Sequence, residues 1–181
     1  MTEIREKQYM RTVSGRKIYI LDPKPEDFNI HDIAHHLACT MRYNGGTIFP
    51  FSVARHSIIM AYNVPDEFKL EALLHDAHEM SIGDNITPLK KSCAELKAIE
   101  CRHEAAVRAA FNLPPVMSEI VKLADIRMYK TETDQLRPNS ICEYDVKPYD
   151  VRLFERSWLD DKADFINAFH YLSGRENATA A

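Results

Sequence analysis

Leu73-Leu74-His75-Asp76-Ala77-His78-Glu79 sets an imidazole and a carboxylate side by side among apolar residues. A carboxylate in such a setting is rare unless it is paired or holds a metal ion. Partners for an ion stand elsewhere in the chain, with His56 upstream and Asp125 downstream. The run closes a stretch from Asp66 to Met80 that reads as one helix. Adjacent helical residues differ by ~100° in direction, so an ion near the end of the stretch can still receive both His75 and Asp76. Glu79, three residues after Asp76, falls on the same side.

Helical patterning continues outward from this stretch. Asn29 stands as an N-cap before the stripe Ile30, Ile33, Ala34, Leu37, Ala38 and Met41, and a further helix covers Phe51 to Asn63. Ser92 with Glu95 forms a capping box opening a helix that ends near Asn112, ahead of Pro114-Pro115. Val116 to Leu136 carries Ile120, Leu123, Ala124 and Met128 on one side, and Val151 to Leu172 carries Phe154, Trp158, Phe165, Phe169 and Leu172. Trp158 and Phe165 suit either a core or a subunit interface. Around Ser14-Gly15 the chain alternates, with Val13, Ile18 and Ile20 favouring strand, which reads as a short hairpin. The expected fold is all-α, a compact helical bundle in one domain over 1–181. Residues 1–25 form a hairpin appendage and lead-in, 138–150 an ordered or semi-ordered loop, and 174–181 a frayed tail.

Composition narrows the function classes. A chain of 181 residues buries a substantial core without disulfides or a structural metal, so an ion here serves chemistry. A net charge of −4 gives no basic footprint for stable nucleic-acid binding. Cys39, Cys93, Cys101 and Cys142 lack C-x-x-C spacing and read as reduced thiols of a cytoplasmic protein. The polar opening Met1 to Lys7 does not read as a signal peptide, and no apolar run reaches the ~18 residues that span a bilayer, so no membrane partner is expected.

His56, His75, Asp76 and Asp125 together offer a mixed nitrogen and oxygen sphere that suits Zn, Mn, Co or Fe and leaves positions open for water. Glu79 beside them is placed as a base or a water-orienting group. Taken singly, His56 also reads as a hydrogen-bonded core histidine and Asp125 as a buried helix cap.

The spacing His56, His75-Asp76, Asp125 resembles the H…HD…D signature of the HD-domain metal-dependent phosphohydrolases. The longer string His75-Asp76-Ala77-His78-Glu79-Met80-Ser81-Ile82-Gly83-Asp84, followed by Pro88-Leu89-Lys90, is similar to that of the bacterial 5′-deoxynucleotidases. Ser14-Gly15-Arg16, Asp32-Ile33-Ala34-His35, Arg42-Tyr43-Asn44-Gly45-Gly46 and Phe51-Ser52-Val53-Ala54-Arg55-His56 resemble a compact phage-type subgroup, some of whose members are dATP triphosphohydrolases. The likeness covers roughly residues 9 to 136. His78 departs from it, since relatives usually carry a small residue there, and the last helix has no matching motif.

The resemblance implies an HD-domain helical bundle, a homo-oligomer in the cytoplasm (of the host, if phage-encoded), and hydrolysis of a deoxynucleotide. Its sharpest form takes dATP to deoxyadenosine and triphosphate; a 5′-deoxynucleotidase acting on dNMPs is the close alternative. His56, His75, Asp76 and Asp125 become metal ligands and Glu79 the catalytic proton carrier. Asp84 assists through a second, looser Mg or Co ion or binds the sugar hydroxyl. Arg42 and Lys90 are the candidates for phosphate oxygens, Lys90 also reading as a plain solvated lysine. His35, two helical turns before Arg42, is either a general acid in the same cleft or a core hydrogen-bonder. The loop Tyr43 to Pro50, with Asn44 and Ile48, is the candidate base-selecting segment, although Phe49 also reads as a hydrophobic plug. A di-iron oxygenase of the same fold would need further histidines between His75 and Asp125, where only His78 and His103 lie, and His103 is expected to face solvent. A non-catalytic HD-fold binding protein is the remaining alternative.

Overall fold

The computed structural model describes residues 8–174. The polar opening and the end from Asn177 to Ala181, expected to fray, lie outside the described residues. Among the described residues eight α-helices follow a β-hairpin: α1 (Ile30–Cys39), α2 (Val53–Ala61), α3 (Lys69–Leu74), α4 (Glu79–Ile82), α5 (Thr87–Ser92), α6 (Ala94–Ala110), α7 (Glu119–Leu136) and α8 (Trp158–Ser173). The protein is therefore mostly helical. α8 packs along α1, and α2 lies against α3, α7 and α8. One core runs between them, built on the fully buried Ile33, Leu37, Met60, Leu73, Met128 and Phe165.

Side-chain caps set the starts of four of these helices. Asn29 Oδ1 accepts from Asp32 N at 3.0 Å, as its sequence position foretells. Ser52, Ser118 and Ser157 cap α2, α7 and α8 in the same way. Two of these starts come later than the periodicity predicts: α7 begins at Glu119 and α8 at Trp158, because a capping serine stops the helix from extending further toward the N-terminus. Ser92 does not open a helix. It ends α5, where Pro88 lies in the first turn, and its Oγ donates to Pro88 O at 2.8 Å.

The stripe on α7 is rotated from the expected one. Val121, Ala124 and Met128 are buried, while Ile120 and Leu123 are 41 % and 49 % exposed. On α8 the core residues are Phe165 and Phe169, and Trp158 is 41 % exposed. His103, expected to face solvent, is instead fully buried on α6, with Nε2 against Ile20 O at 2.9 Å and Nδ1 against Ser81 Oγ at 2.7 Å. Those partners satisfy both ring nitrogens, which is why the core accepts it.

The hairpin is docked to the bundle. Tyr9–Arg11 (β1) pairs antiparallel with Lys17–Tyr19 (β2), and Ile18 sits fully inside the core. Asp32 of α1 accepts from Ser14 N at 3.1 Å and Ser14 Oγ at 2.7 Å. The 138–150 loop is likewise tied down. Arg127, Thr131 and Gln135, four residues apart on α7, bond in turn to the backbone of Lys147, Tyr149 and of both Val151 and Leu153. The four cysteines are free. Among the described residues no helix is long and apolar enough to cross a membrane.

Candidate metal centre and cleft

The expected single helix over Asp66 to Met80 is broken where the HD pair sits. α3 ends at Leu74, a turn covers 75–78, and α4 starts at Glu79. Through the turn the backbone uses i to i+3 bonds, Leu74 O with Ala77 N at 3.1 Å and Asp76 O with Glu79 N at 2.9 Å. This tighter winding brings both His75 and Asp76 to the centre. Gly83, at φ 80°, then reverses the chain through a conformation that a side chain would strain, and carries Asp84 back toward Arg42.

His56, His75 and Asp125 each present one ligand atom, and these lie within 4.8 Å of one another. His56 Nε2 stands 3.3 Å from Asp125 Oδ1, and Asp76 Oδ2 lies 3.0 Å from His75 Nε2 and 3.9 Å from His56 Nε2. The other nitrogen of each ring is engaged. His75 Nδ1 pairs with Ala72 O at 2.8 Å, and His56 Nδ1 with Glu132 Oε1 at 2.6 Å. Both Nε2 atoms are buried without a hydrogen-bond partner. A buried polar atom of this kind costs ~1–3 kcal/mol, and here two of them converge beside carboxylates.

Glu132 joins the centre to its surroundings. It is fully buried, accepts from Arg42 Nε and Nη2 at 3.4 Å each, and accepts from Tyr43 OH at 2.5 Å. Burial alone would raise its pKa, but Arg42 and His56 outweigh burial and lower it. Burial and Arg42 press the His56 ring toward neutrality, yet Glu132 and Asp125 lift its pKa to about 9. Asp76 is held well below the usual carboxylate range against burial by His75, His56 and Arg42. Glu79 is the opposite case, with burial first and then Asp76 and Asp84 pushing its carboxyl well up. Sequence reasoning missed Glu132. Its spacing of seven residues from Asp125, two helical turns, was the available signal.

A cleft of about 690 Å³ opens over this group and is lined by Asp76, Glu79, Asp84 and Asp125 together with Arg42 and Lys90. Arg42 Nη1 reaches Asp84 Oδ2 at 3.4 Å and Asp76 Oδ2 at 3.9 Å. Lys90 is bonded to Glu100 at 2.9 Å. His35, Asn44 and Ile48 do not line the cleft. α1 ends at Cys39, so the two-turn spacing from His35 to Arg42 is lost; the His35 ring instead meets Trp158 edge-on at 5.5 Å. In the Tyr43 to Pro50 loop, Tyr43 and Asn44 take positive φ, 56° and 53°. That reversal turns Tyr43 into the cleft, leaves Asn44 exposed, and places Ile48 outside at 61 % exposure. Phe49 packs against the core, as a plug would.

No family model matches the chain. Two bacterial proteins, both named only as uncharacterized, are similar over most of their length. YfdR of Escherichia coli K12 is 38 % identical over 128 residues, 71 % of this chain and 72 % of its own. RCAP_rcc00048 of Rhodobacter capsulatus is 36 % identical over 154 residues, 77 % of this chain and 79 % of its own. Identity of that order, sustained across more than two thirds of both partners, means that the chain belongs to the family of YfdR and RCAP_rcc00048.

Proposed function

We propose that this protein is an HD-domain metal-dependent hydrolase of deoxynucleotides, in its sharpest form one that converts dATP to deoxyadenosine and triphosphate. The observation that carries the reading is the pair of buried, unpartnered Nε2 atoms of His56 and His75 facing Asp76 and Asp125. Because Glu132 and the Ala72 carbonyl occupy the two Nδ1 positions, each Nε2 can offer a lone pair to an ion that displaces its proton. The donor set fits Zn, Mn, Co or Fe, and a bound divalent ion supplies positive charge to the phosphoryl group and acidity to water.

The chain's own groups do the rest. Glu79, whose buried Oε2 has no hydrogen-bond partner and which lines the cleft, takes the proton of the attacking water and returns it to the leaving O5′ as the Pα–O5′ bond breaks. Arg42 lines the cleft with Nε and Nη2 fixed by Glu132, and a phosphate oxygen would take Nη1 from Asp84, which holds it at 3.4 Å. Asp84, opposite Arg42, takes the sugar hydroxyl or a second, looser Mg or Co ion.

One observation favours the 5′-deoxynucleotidase as a second reading. Lys90 is matched by Glu100 and Arg42 by Glu132, which lowers the charge these two offer β and γ phosphates and leaves that part to Lys91 and Arg137 of the same lining. A product assay separates the two. Purified protein with Mn, Co, Zn or Mg is given the four dNTPs, 2-amino-dATP and the dNMPs, with Asp76→Ala as control. Deoxyadenosine and intact triphosphate from dATP support the first reading and preference for dNMPs the second. Absence of release with every metal overturns both.

A further inference from the structure

The wall of the cleft away from the metal-ligand group is aromatic. Tyr43, Tyr129 and Tyr144 form a chain of rings, Tyr43 to Tyr129 at 6.2 Å and Tyr129 to Tyr144 edge-on at 5.9 Å, and all three line the cleft. Tyr144 is 45 % exposed, so its ring is not spent on the core. Glu143 also lines the cleft, and it accepts from Tyr129 OH at 3.3 Å. α7 fixes where this wall stands relative to the chemistry. Asp125 and Tyr129 are one helical turn apart, about 6 Å along the axis, and both face the cleft. Thr131 and Arg127 of the same helix hold the loop that carries Glu143 and Tyr144, through Tyr149 N at 2.9 Å and Lys147 O at 3.0 Å.

We infer that Tyr129 and Tyr144 form the nucleobase platform of the cleft, with Glu143 accepting a hydrogen bond from an amino-bearing base edge. The inference rests on the deoxynucleotide reading above and moves base recognition from the Tyr43 to Pro50 loop to α7 and the loop after it. A nucleotide whose reacting phosphate lies at Asp125 extends its base along α7 by about the length of the sugar, to the rings. A cleft of about 690 Å³ is of the size that holds a ligand of this class. Stacking supplies affinity with little base selectivity, and the Glu143 carboxylate supplies the selection.

The test separates base binding from turnover. Binding of deoxyadenosine, which carries no phosphate, is measured by calorimetry on the wild type and on Tyr144→Leu, Tyr144→Phe, Tyr129→Leu and Glu143→Leu. The expected result is weakening of about tenfold or more in the two tyrosine-to-leucine variants, retention in Tyr144→Phe, and loss of the preference for deoxyadenosine over thymidine in Glu143→Leu, which removes the acceptor oxygen. In the turnover assay the tyrosine-to-leucine variants raise KM for the nucleotide. Equal deoxyadenosine affinity in wild type and both tyrosine-to-leucine variants, or no binding by the wild type at millimolar nucleoside, overturns the platform even where nucleotides are hydrolysed. Nucleoside binding that depends on the rings in a protein releasing no phosphate sustains the platform and sinks the hydrolase reading instead.

Discussion

Two buried charged clusters in this protein solve the same electrostatic problem in opposite ways. Beneath α3, Glu71 accepts from Arg108 Nη2 at 2.5 Å and from Ser118 N at 3.0 Å, while Arg108 Nε donates to Pro114 O. Anion and cation meet each other, backbone groups take up further valences, and the one buried nitrogen left without a hydrogen bond, Arg108 Nη1, lies 3.9 Å from Glu104 Oε1. At the HD pair, His56 and His75 spend one nitrogen each inside the fold and leave the other bare beside Asp76 and Asp125. A cluster that only stabilises spends most of its valences on itself, because every orphaned polar atom costs free energy. One that converges its open valences on a single point gains stability when something else completes it.

The largest break between the two should come from Asp125→Asn. Turnover is expected to fall by more than the ~10–100-fold that losing an outer partner of a metal ligand costs. Stability of the metal-free chain should change by no more than ~1 kcal/mol, since Asp125 is 45 % exposed. Steady-state rates and a thermal melt of the same preparation check both halves, and equal damage to rate and melting would erase the distinction.

Glu71→Ala should invert the pattern. It strands the Arg108 charge in a buried site, at a cost of about 3–5 kcal/mol, a fall in Tm on the order of 10 °C. Metal affinity measured under folding conditions should be unchanged.

Glu132→Gln sharpens the boundary between the clusters, for Glu132 is both a satisfied buried ion and the partner of His56. Metal affinity should drop ~10–100-fold. An unaltered titration isotherm would reduce Glu132 to a packing role.

The smallest effect is the acid limb of the stability curve. Burial raises the Glu71 carboxyl, but the Arg108 and Ser118 bonds outweigh it and leave its pKa lowered; Ser14, Thr12 and Asn29 do the same for Asp32. A lowered folded pKa means stability that is full above the unfolded value of ~4 and is lost as pH falls through the folded one. Denaturant midpoints should therefore decline below about pH 4, and Glu71→Gln should flatten that decline. A wild-type midpoint that holds level through the same range would contradict the assignment.

The sequence by itself determined the helical class, the Asn29 cap, the hairpin turn and the residue types of the candidate metal-ligand group. These are local matters, in which period, cap chemistry and a carboxylate beside an imidazole in an apolar run declare themselves within a few residues. Where α7 and α8 start was legible only to within several residues, because periodicity runs on past a capping serine. Tertiary structure alone decided that Glu132 backs His56, that His103 is buried, and that His35, Asn44 and Ile48 fall outside the cleft. Each depends on where a distant segment lies. The Ile20 carbonyl makes a core site for His103, and the positive-φ reversal at Tyr43 sends one side chain of its loop inward and the next outward. Such outcomes are set by the direction in which a backbone points once helices are packed, and a chain read one residue at a time carries no record of that direction.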